Sequence, residues 1–310
     1  MMQTIFVAGG TGFIGSEFVL EALKAGHQVV ALARSDASAE TLRKAGARPV
    51  SGDLLTPGDW QAQAAQADAV VHIAQPLTFG GRVTKQRAEA YRRERLQMDA
   101  NLLSHLARDG RQRIIYVSGT SYYGNLGPEL LDETATPQPM GWGPYVVEAL
   151  AQVRQFQRDG LAIIEAFPGQ IYGAGSWYKD FVTFFRKGNP FYSLGGRDRY
   201  NSFMHVTDVA RGLVHLLEHG QTGERYFLVD DEPSSLAELA RLTADQLSIR
   251  LRRQRVPYFL LELLFGPVVA ESLKYENRLS NAKLRATGFV PRYPTLRDGV
   301  PTVIKALNEM

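Results

Sequence analysis

The 310-residue chain contains no cysteine, which excludes disulfides, thiolate metal sites and a cysteine nucleophile. It has no apolar stretch long enough to span a bilayer; the longest, Val256–Ala270, is interrupted by Glu262 and Pro267. No lysine occurs between Lys85 and Lys179, an absence that bears directly on the chemistry below. Neither sign of charge dominates, since the net is only +3. Basic clusters such as Arg82–Arg95 and Arg250–Arg255 lack the interleaved aromatics of a nucleic-acid surface. They read as solvated helix faces or anion contacts. No His/Asp/Glu spacing points to a metal. The N-terminus runs straight into a strand pattern with no signal-peptide features. The expectation is a soluble, cytoplasmic protein with a small-molecule substrate and no nucleic-acid or membrane partner.

What is present is most informative at Ala8-Gly9-Gly10-Thr11-Gly12-Phe13-Ile14-Gly15. An apolar run, Thr4–Val7, precedes it, and a helical pattern follows that stops at Gly26. Strand, glycine turn and helix in that order make a pocket for a dinucleotide pyrophosphate. The glycines let the backbone turn tightly and approach the phosphates, and the unpaired amides of the first helical turn face the negative charge. Apolar runs then alternate with helical patterns, the mark of a parallel sheet covered by helices. The runs predict strands at Thr4–Ala8, Val29–Ala33, Arg48–Ser51, Ala69–Ile73, Arg113–Ser118, Leu161–Phe167 and Tyr226–Val229. Gly26, Gly46, Gly110 and Gly160 stand where helices would be capped. The fold class expected is α/β, a Rossmann-type doubly wound parallel sheet with a smaller, mostly helical substrate lobe. The dinucleotide-binding domain would take residues 1–167, continued by about 203–231, with 168–202 and 232–310 forming the lobe.

The second strand ends at Ala33, followed by Arg34 and Ser35. An acidic residue at this tip would bind a ribose 2′-hydroxyl, whereas a guanidinium suits a 2′-phosphate. NADP is therefore expected over NAD. Asp53, just after the third strand, is placed either to contact an adenine amino group or simply to form a turn.

At this point the chain resembles the extended short-chain dehydrogenase/reductase family, the group of nucleotide-sugar epimerases and dehydratases. Gly9-x-x-Gly12-x-x-Gly15 matches its glycine spacing, and Val71-His72-Ile73-Ala74 looks like its fourth strand, whose tip lines the cofactor. Tyr116–Gly124 resembles its serine-bearing fifth strand and Tyr-Gly turn, and Phe167-Pro168-Gly169-Gln170-Ile171-Tyr172-Gly173 its Arg-Pro-x-x-Val-Tyr-Gly element. His205-Val206-Thr207-Asp208 and Ser280-Asn281-Ala282-Lys283 resemble late landmarks. The resemblance implies cofactor contacts from Gly9, Thr11, Gly12, Phe13, Ile14, Gly15, Arg34, Asp53, Leu54, Ile73, Ala74, Gln75 and Pro168. It also implies a Tyr-x-x-x-Lys pair, a catalytic Ser or Thr, an Asn that seats them, and a dimer built on the helices near 87–107 and 143–159.

The proton-handling half departs from that pattern. The best tyrosine is Tyr145, and four residues on stands Ala149. The usual hydroxyl position, five residues before Gly124, is Gly119, flanked by Ser118 and Thr120; the Asn position falls near Glu94-Arg95. A free phenol has a pKa of roughly 10, so about one part in a thousand is ionised at neutral pH. Without a lysine that lowers it by about two to three units, roughly 3–4 kcal/mol of base activation is lost. That is about a hundred- to thousandfold in rate if the base step limits. Oxidation and epimerisation begin by removing a proton and suffer most; reduction needs a neutral acid, which Tyr145 still is. The reading changes if Lys179 or Arg154 reaches the phenol.

The function expected is NADP-dependent carbonyl reduction of a medium-sized polar metabolite, with Tyr145, Ser118 and Thr120 as catalytic groups. A non-catalytic NADP-binding regulator, and an epimerase/dehydratase-like isomerase or lyase, are the alternatives. Tyr122 and Tyr123, at the mouth of the presumed cleft, stand between substrate contact and packing. Trp177 and Lys179 are candidate substrate contacts, Lys179 for an anion. His205 reads as a helix-entry or core residue, His72 as packing at a strand end, and Val256–Leu273 as core, pocket lid or subunit contact.

Overall fold

The computed structural model describes residues 2–76, 82–194 and 198–309. Seven parallel strands form its centre: β1 (Thr4–Ala8), β2 (Gln28–Ala33), β3 (Arg48–Ser51), β4 (Ala69–His72), β5 (Arg113–Val117), β6 (Ala162–Pro168) and β7 (Arg225–Leu228). Their spatial order is β7-β6-β5-β4-β1-β2-β3. The order reverses beside β1, which pairs with β2 on one side and β4 on the other. In a doubly wound sheet a ligand crevice opens at that switch point, beyond the carboxyl ends of the strands.

Alternation along β1 sets the two cores. Ile5 and Val7 face one side, where they pack with Phe18 and Val19 of α1 (Phe13–Lys24). Phe6 and Ala8 face the other, with Trp60, Met98 and Leu150. Covering that second face are α3 (Trp60–Gln66), α4 (Lys85–Leu103) and α5 (Val147–Arg158); α2 (Asp36–Lys44) links β2 to β3. Further on, α6 (Trp177–Arg186) and α8 (Leu236–Gln246) flank α7 (Val206–His219) in sequence. α7 returns to the first face through Val209, Leu213 and Leu216. Tyr172, Tyr178, Phe203, Leu239 and the terminal helix Leu296–Glu309 build a separate aromatic and aliphatic core. Beyond it α9 (Tyr258–Phe265) and α10 (Pro267–Ser272) are two short helices joined at Gly266.

Each sequence-predicted strand lies within one residue of its observed bounds. Gly26, Gly46 and Gly160 adopt positive φ just past α1, α2 and α5, the left-handed stop expected of a helix end. Gly110 does not: α4 already ends at Leu103, closed by Ser104, and Gly110 turns in the loop beyond. The basic cluster Arg82–Arg95 also needs correction as a wholly solvated face, because Arg95 is buried.

Candidate active site

The glycine turn is fixed by its own close packing. Gly9 has φ +96°, and a Cβ there would lie 2.6 Å from the Ala74 amide nitrogen at the tip of β4. A Cβ on Gly15 would meet the Gly9 carbonyl oxygen at 1.9 Å, so helix and strand touch backbone to backbone. Gly12 differs. Its amide donates to the Gly9 carbonyl at 3.1 Å, and a Cβ would find only that oxygen, at 3.4 Å. Thr11 and Gly12 are exposed, Phe13 and Ile14 half-buried. α1 starts with no side-chain cap and no acidic residue in its first turn. Its leading amides and positive dipole end therefore face an open surface, which fits a pyrophosphate.

At the end of β2, Arg34 is exposed and pairs with no acidic group among the described residues. Ser35 caps α2 by accepting from the Ser38 amide at 3.2 Å. Asp53 forms the turn: its Oδ1 accepts from the Leu55 amide at 2.9 Å. Leu54 is buried, its carbonyl accepting from Asn101 Nδ2 at 2.8 Å. Ile73 extends β4 by donating to the Ala8 carbonyl at 2.9 Å. Gln75 Oε1 accepts from the Tyr91 hydroxyl at 2.8 Å. Pro168 ends β6, buried beside Leu228.

Beneath the tips of β4 and β5 lies a buried polar network that sequence reasoning missed. Asp99 Oδ1 meets His72 Nε2 at 2.8 Å, and its Oδ2 accepts from the Tyr116 hydroxyl at 2.6 Å. Arg95 Nε sits 3.1 Å from the Asp99 carboxylate and donates to the Tyr116 oxygen at 3.0 Å. The rest of the guanidinium donates to the carbonyls of Ala74, at 2.8 Å, and Val117, at 3.1 Å. One cation thus ties the ends of two neighbouring strands together. Burial, then the Arg95 charge, holds His72 below 6.5, so its neutral ring donates from Nε2 to Asp99. Burial alone would push Asp99 up, but Arg95 and the bonds from His72 and Tyr116 outweigh it and hold the carboxyl below its ordinary range. This arginine is one of the two residues, Glu94 and Arg95, near which the resembled family's Asn position is expected. The i, i+4 pair Arg95–Asp99 was the available signal, though on a helix that spacing usually marks a surface pair.

Tyr145 ends a short turn, Gly143–Tyr145, that leads into α5. The turn packs on the segment after β5, since a Cβ on Gly143 would meet the Ser121 carbonyl oxygen at 2.3 Å. Ser118 and Thr120 belong to that segment, Ser118 half-buried and Thr120 buried. Tyr145 reaches the β4 tip through aromatic contacts: its ring lies 6.4 Å from Trp142, which lies 5.0 Å from Tyr91, whose hydroxyl holds Gln75. Val83, Ala88 and Val268 pack beside it. Partial burial, then the charges of Glu89 and Glu271, raises the Tyr145 pKa above 10. Among the described residues no cation offsets this. Arg154 is spent on Glu165, with two 2.9 Å bonds, and on the Tyr122 hydroxyl, also at 2.9 Å. Lys179 is exposed on α6, and Ala149 is 1% exposed.

Other candidates are corrected by burial. Tyr123 is fully buried between Phe167 and Phe227, its phenol pushed up to about 12 by desolvation. Tyr122 is buried in the same core and engaged by Arg154. Trp177 packs against Tyr178 and Phe181 and donates to the Ile171 carbonyl at 2.8 Å. The structure does not bring Trp177 or Lys179 to Tyr145. Late landmarks turn out to be braces. Asp208 accepts from the amides of Arg292 and Tyr293, both at 2.7 Å, and Asn281 Nδ2 donates to the Val229 carbonyl at 2.9 Å. A surface hollow of about 470 Å³ lies at the far end of α1, beside Lys24 and His215.

His205 caps α7, its Nδ1 accepting from the Thr207 amide at 3.2 Å, which requires a neutral ring. Burial lowers its pKa from 6.5 to about 4. An unfolded imidazole protonates first as pH falls, so the contribution is whole above about 6.5 and lost on the way to about 4. Urea titrations should show roughly 3 kcal/mol of stability lost across that window, with His205→Asn, which keeps a capping acceptor, flattening much of the slope.

Comparison with known proteins follows the same lines. Residues 5–228 match the model of the NAD dependent epimerase/dehydratase family. An uncharacterised protein of Schizosaccharomyces pombe is 32% identical over 257 residues, covering 79% of this chain and 81% of that protein. A 4-hydroxy-2-methyl-3-oxo-4-farnesyl-3,4-dihydroquinoline-1-oxide ketoreductase of Stigmatella aurantiaca is 28% identical over 260 residues, covering 82% and 76%. Among solved structures, a human epimerase family protein with NADPH superposes with a TM-score of 0.81 at 20% identity, covering 97% of this chain and 99% of its own. UDP-glucuronic acid 4-epimerase of Bacillus cereus, with UDP-glucuronic acid and NAD, gives 0.79 at 17% identity and 99% of both chains.

Proposed function

We propose that this chain, which belongs to the NAD dependent epimerase/dehydratase family, is an NADP-dependent carbonyl reductase acting on a medium-sized polar metabolite. Membership makes it a nicotinamide-dependent enzyme; direction, cofactor preference and substrate are our reading. The observation that carries the reading is Tyr145. Its hydroxyl makes no hydrogen bond among the described residues and its charged neighbours are Glu89 and Glu271. Such a phenol stays protonated at neutral pH and can give its proton away, but it is a poor base.

The bound nicotinamide supplies the hydride. The chain's own groups do the rest. The backbone amides of Phe13 and Ile14 would hold the pyrophosphate, and the guanidinium of Arg34 would grip the 2′-phosphate. Ser118 and Thr120 hydroxyls orient the carbonyl oxygen, and Tyr145 Oη protonates that oxygen as charge develops on it. Tyr145 is half-exposed, so solvent restores its proton. The ketoreductase relative supports this direction. A second reading, a cofactor-binding regulator, is favoured by the uncharged Ala149 that stands four residues after Tyr145, where the resembled family has the lysine that anchors the ribose.

The test is NADPH consumption by purified protein against a panel of aldehydes and ketones. Arg34→Glu should weaken NADPH about 10- to 100-fold, the worth of charge-assisted hydrogen bonds, and leave NADH nearly unchanged. Tight NADPH binding without turnover of any carbonyl would sink the reductase and favour the regulator. Equal loss of NADH and NADPH in Arg34→Glu would remove the NADP assignment.

A further inference from the structure

The surface of α9 is at odds with the rest of the molecule. Five of its eight residues are exposed apolar side chains: Phe259 and Leu263 at 65%, Leu264 at 63%, Phe265 at 45% and Leu260 at 37%. Leu261 is its one fully buried residue. The exposed groups therefore surround most of the helix rather than form one stripe. The helix itself therefore has almost no polar back. Glu262 is its only charged residue.

Cations frame the helix. Arg82, itself exposed, donates from Nε to the Leu263 carbonyl at 3.1 Å, and the neighbouring Val83 amide donates to the Phe265 carbonyl at 3.0 Å. These bonds hold the start of α4, with exposed Lys85 and Arg87, against the end of α9. At the other end, exposed Arg255 precedes Pro257, where the helix begins, and the Lys274 ammonium lies 3.2 Å from the centre of the Tyr258 ring. An apolar wedge ringed by basic side chains meets both needs of a reversible interfacial anchor, buried hydrocarbon and attraction to anionic headgroups. No helix among the described residues is long and apolar enough to cross a membrane, so the contact would be peripheral.

We propose that α9 and its basic frame dock the protein on an anionic phospholipid surface. This departs from the expectation that the protein has no membrane partner, and it is independent of the carbonyl-reductase reading. Charge favours a bilayer over a second copy, because a symmetric α9–α9 contact would bring two sets of Arg82, Lys85 and Arg255 together. Position adds a consequence. α10 follows α9 directly, and its Val268 packs in the cluster that holds Tyr145. Docking would set the candidate active site close to the lipid headgroups.

The experiment is co-sedimentation of the full chain with vesicles of phosphatidylcholine alone and of phosphatidylcholine containing about one third phosphatidylglycerol, with light scattering on the protein by itself. Binding is expected only to the anionic vesicles. It should weaken about fivefold for each cation removed, as in Lys85→Gln, and fall with added salt. Leu263→Asp with Leu264→Asp should lower it at least about a hundredfold. Both leucines are exposed, and an unchanged melting curve for the double variant will show that the fold is kept. No binding to anionic vesicles, binding that survives the double variant, or a dimer that the double variant dissolves without any vesicle binding would each overturn the proposal.

Discussion

Tyr145→Phe is expected to lower carbonyl reduction about 100- to 10,000-fold, the usual worth of a positioned general acid, with the Kd for NADPH unchanged. The hydroxyl is the only thing removed, and it makes no bond to the fold that would disturb the turn Gly143–Tyr145. The pH profile carries the finer information. Partial burial, with Glu89 and Glu271 beside it, keeps the phenol above 10, so wild-type reduction should stay level through neutral pH and decline only where the phenol ionises. A tyrosine with a lysine partner would decline about two to three units earlier. An alkaline limb near neutrality would mean that a cation reaches Tyr145 after all. A residual rate in Tyr145→Phe close to wild type would remove it from the chemistry.

Asp99→Leu is expected to cost about 3–5 kcal/mol of stability, the penalty for stranding a buried charge. The substitution leaves Arg95 without its carboxylate and His72 and Tyr116 without their acceptor, all at sites closed to water. Arg95→Leu combined with Asp99→Leu should cost less than the sum of the two single changes, because the pair departs together. Urea denaturation of all four proteins measures the difference, and strict additivity would mean that the two groups do not share a network. Asp99 is held below its ordinary range, so its share of stability is present above about pH 4 and is lost as pH falls through the folded value. Since Arg95 also holds the Ala74 and Val117 carbonyls, the singly substituted proteins should bind NADPH less tightly even where they remain folded.

Those two expectations differ in how far the sequence foretold them. The turn at Gly9–Gly15 was legible because its signal is local: the strand before it, the glycine spacing and the helix after it are all read within about twenty residues. Strand positions were legible for a similar reason, since period-two alternation and glycine stops depend on neighbours alone. Gly110 shows the limit of that logic. A glycine marks a left-handed turn, but it does not reveal that α4 has already ended seven residues earlier.

The His72–Arg95–Asp99–Tyr116 network lay out of reach because three separate elements assemble it. Only burial distinguishes the pair Arg95–Asp99 from a solvated ion pair at the same spacing. Tyr122 and Tyr123 were ambiguous for the converse reason. Aromatic residues after a strand line clefts and fill cores alike, and here Phe167 and Phe227 close over them. Arg154 left a clue that carried more weight than its own position. Glu165 interrupts an otherwise apolar run in β6, and a carboxylate in such a strand calls for a cation from elsewhere in the chain.

The glycine turn was also seen to be held shut by contacts with β4 and by its own internal hydrogen bond. Nothing in it waits for a ligand to give it shape. An incoming dinucleotide meets a finished docking face and need not first freeze a wandering loop, so little ordering entropy opposes capture. Association should then run at a rate set by encounter and long-range attraction, and differences in affinity among analogues should be written in how slowly each one leaves.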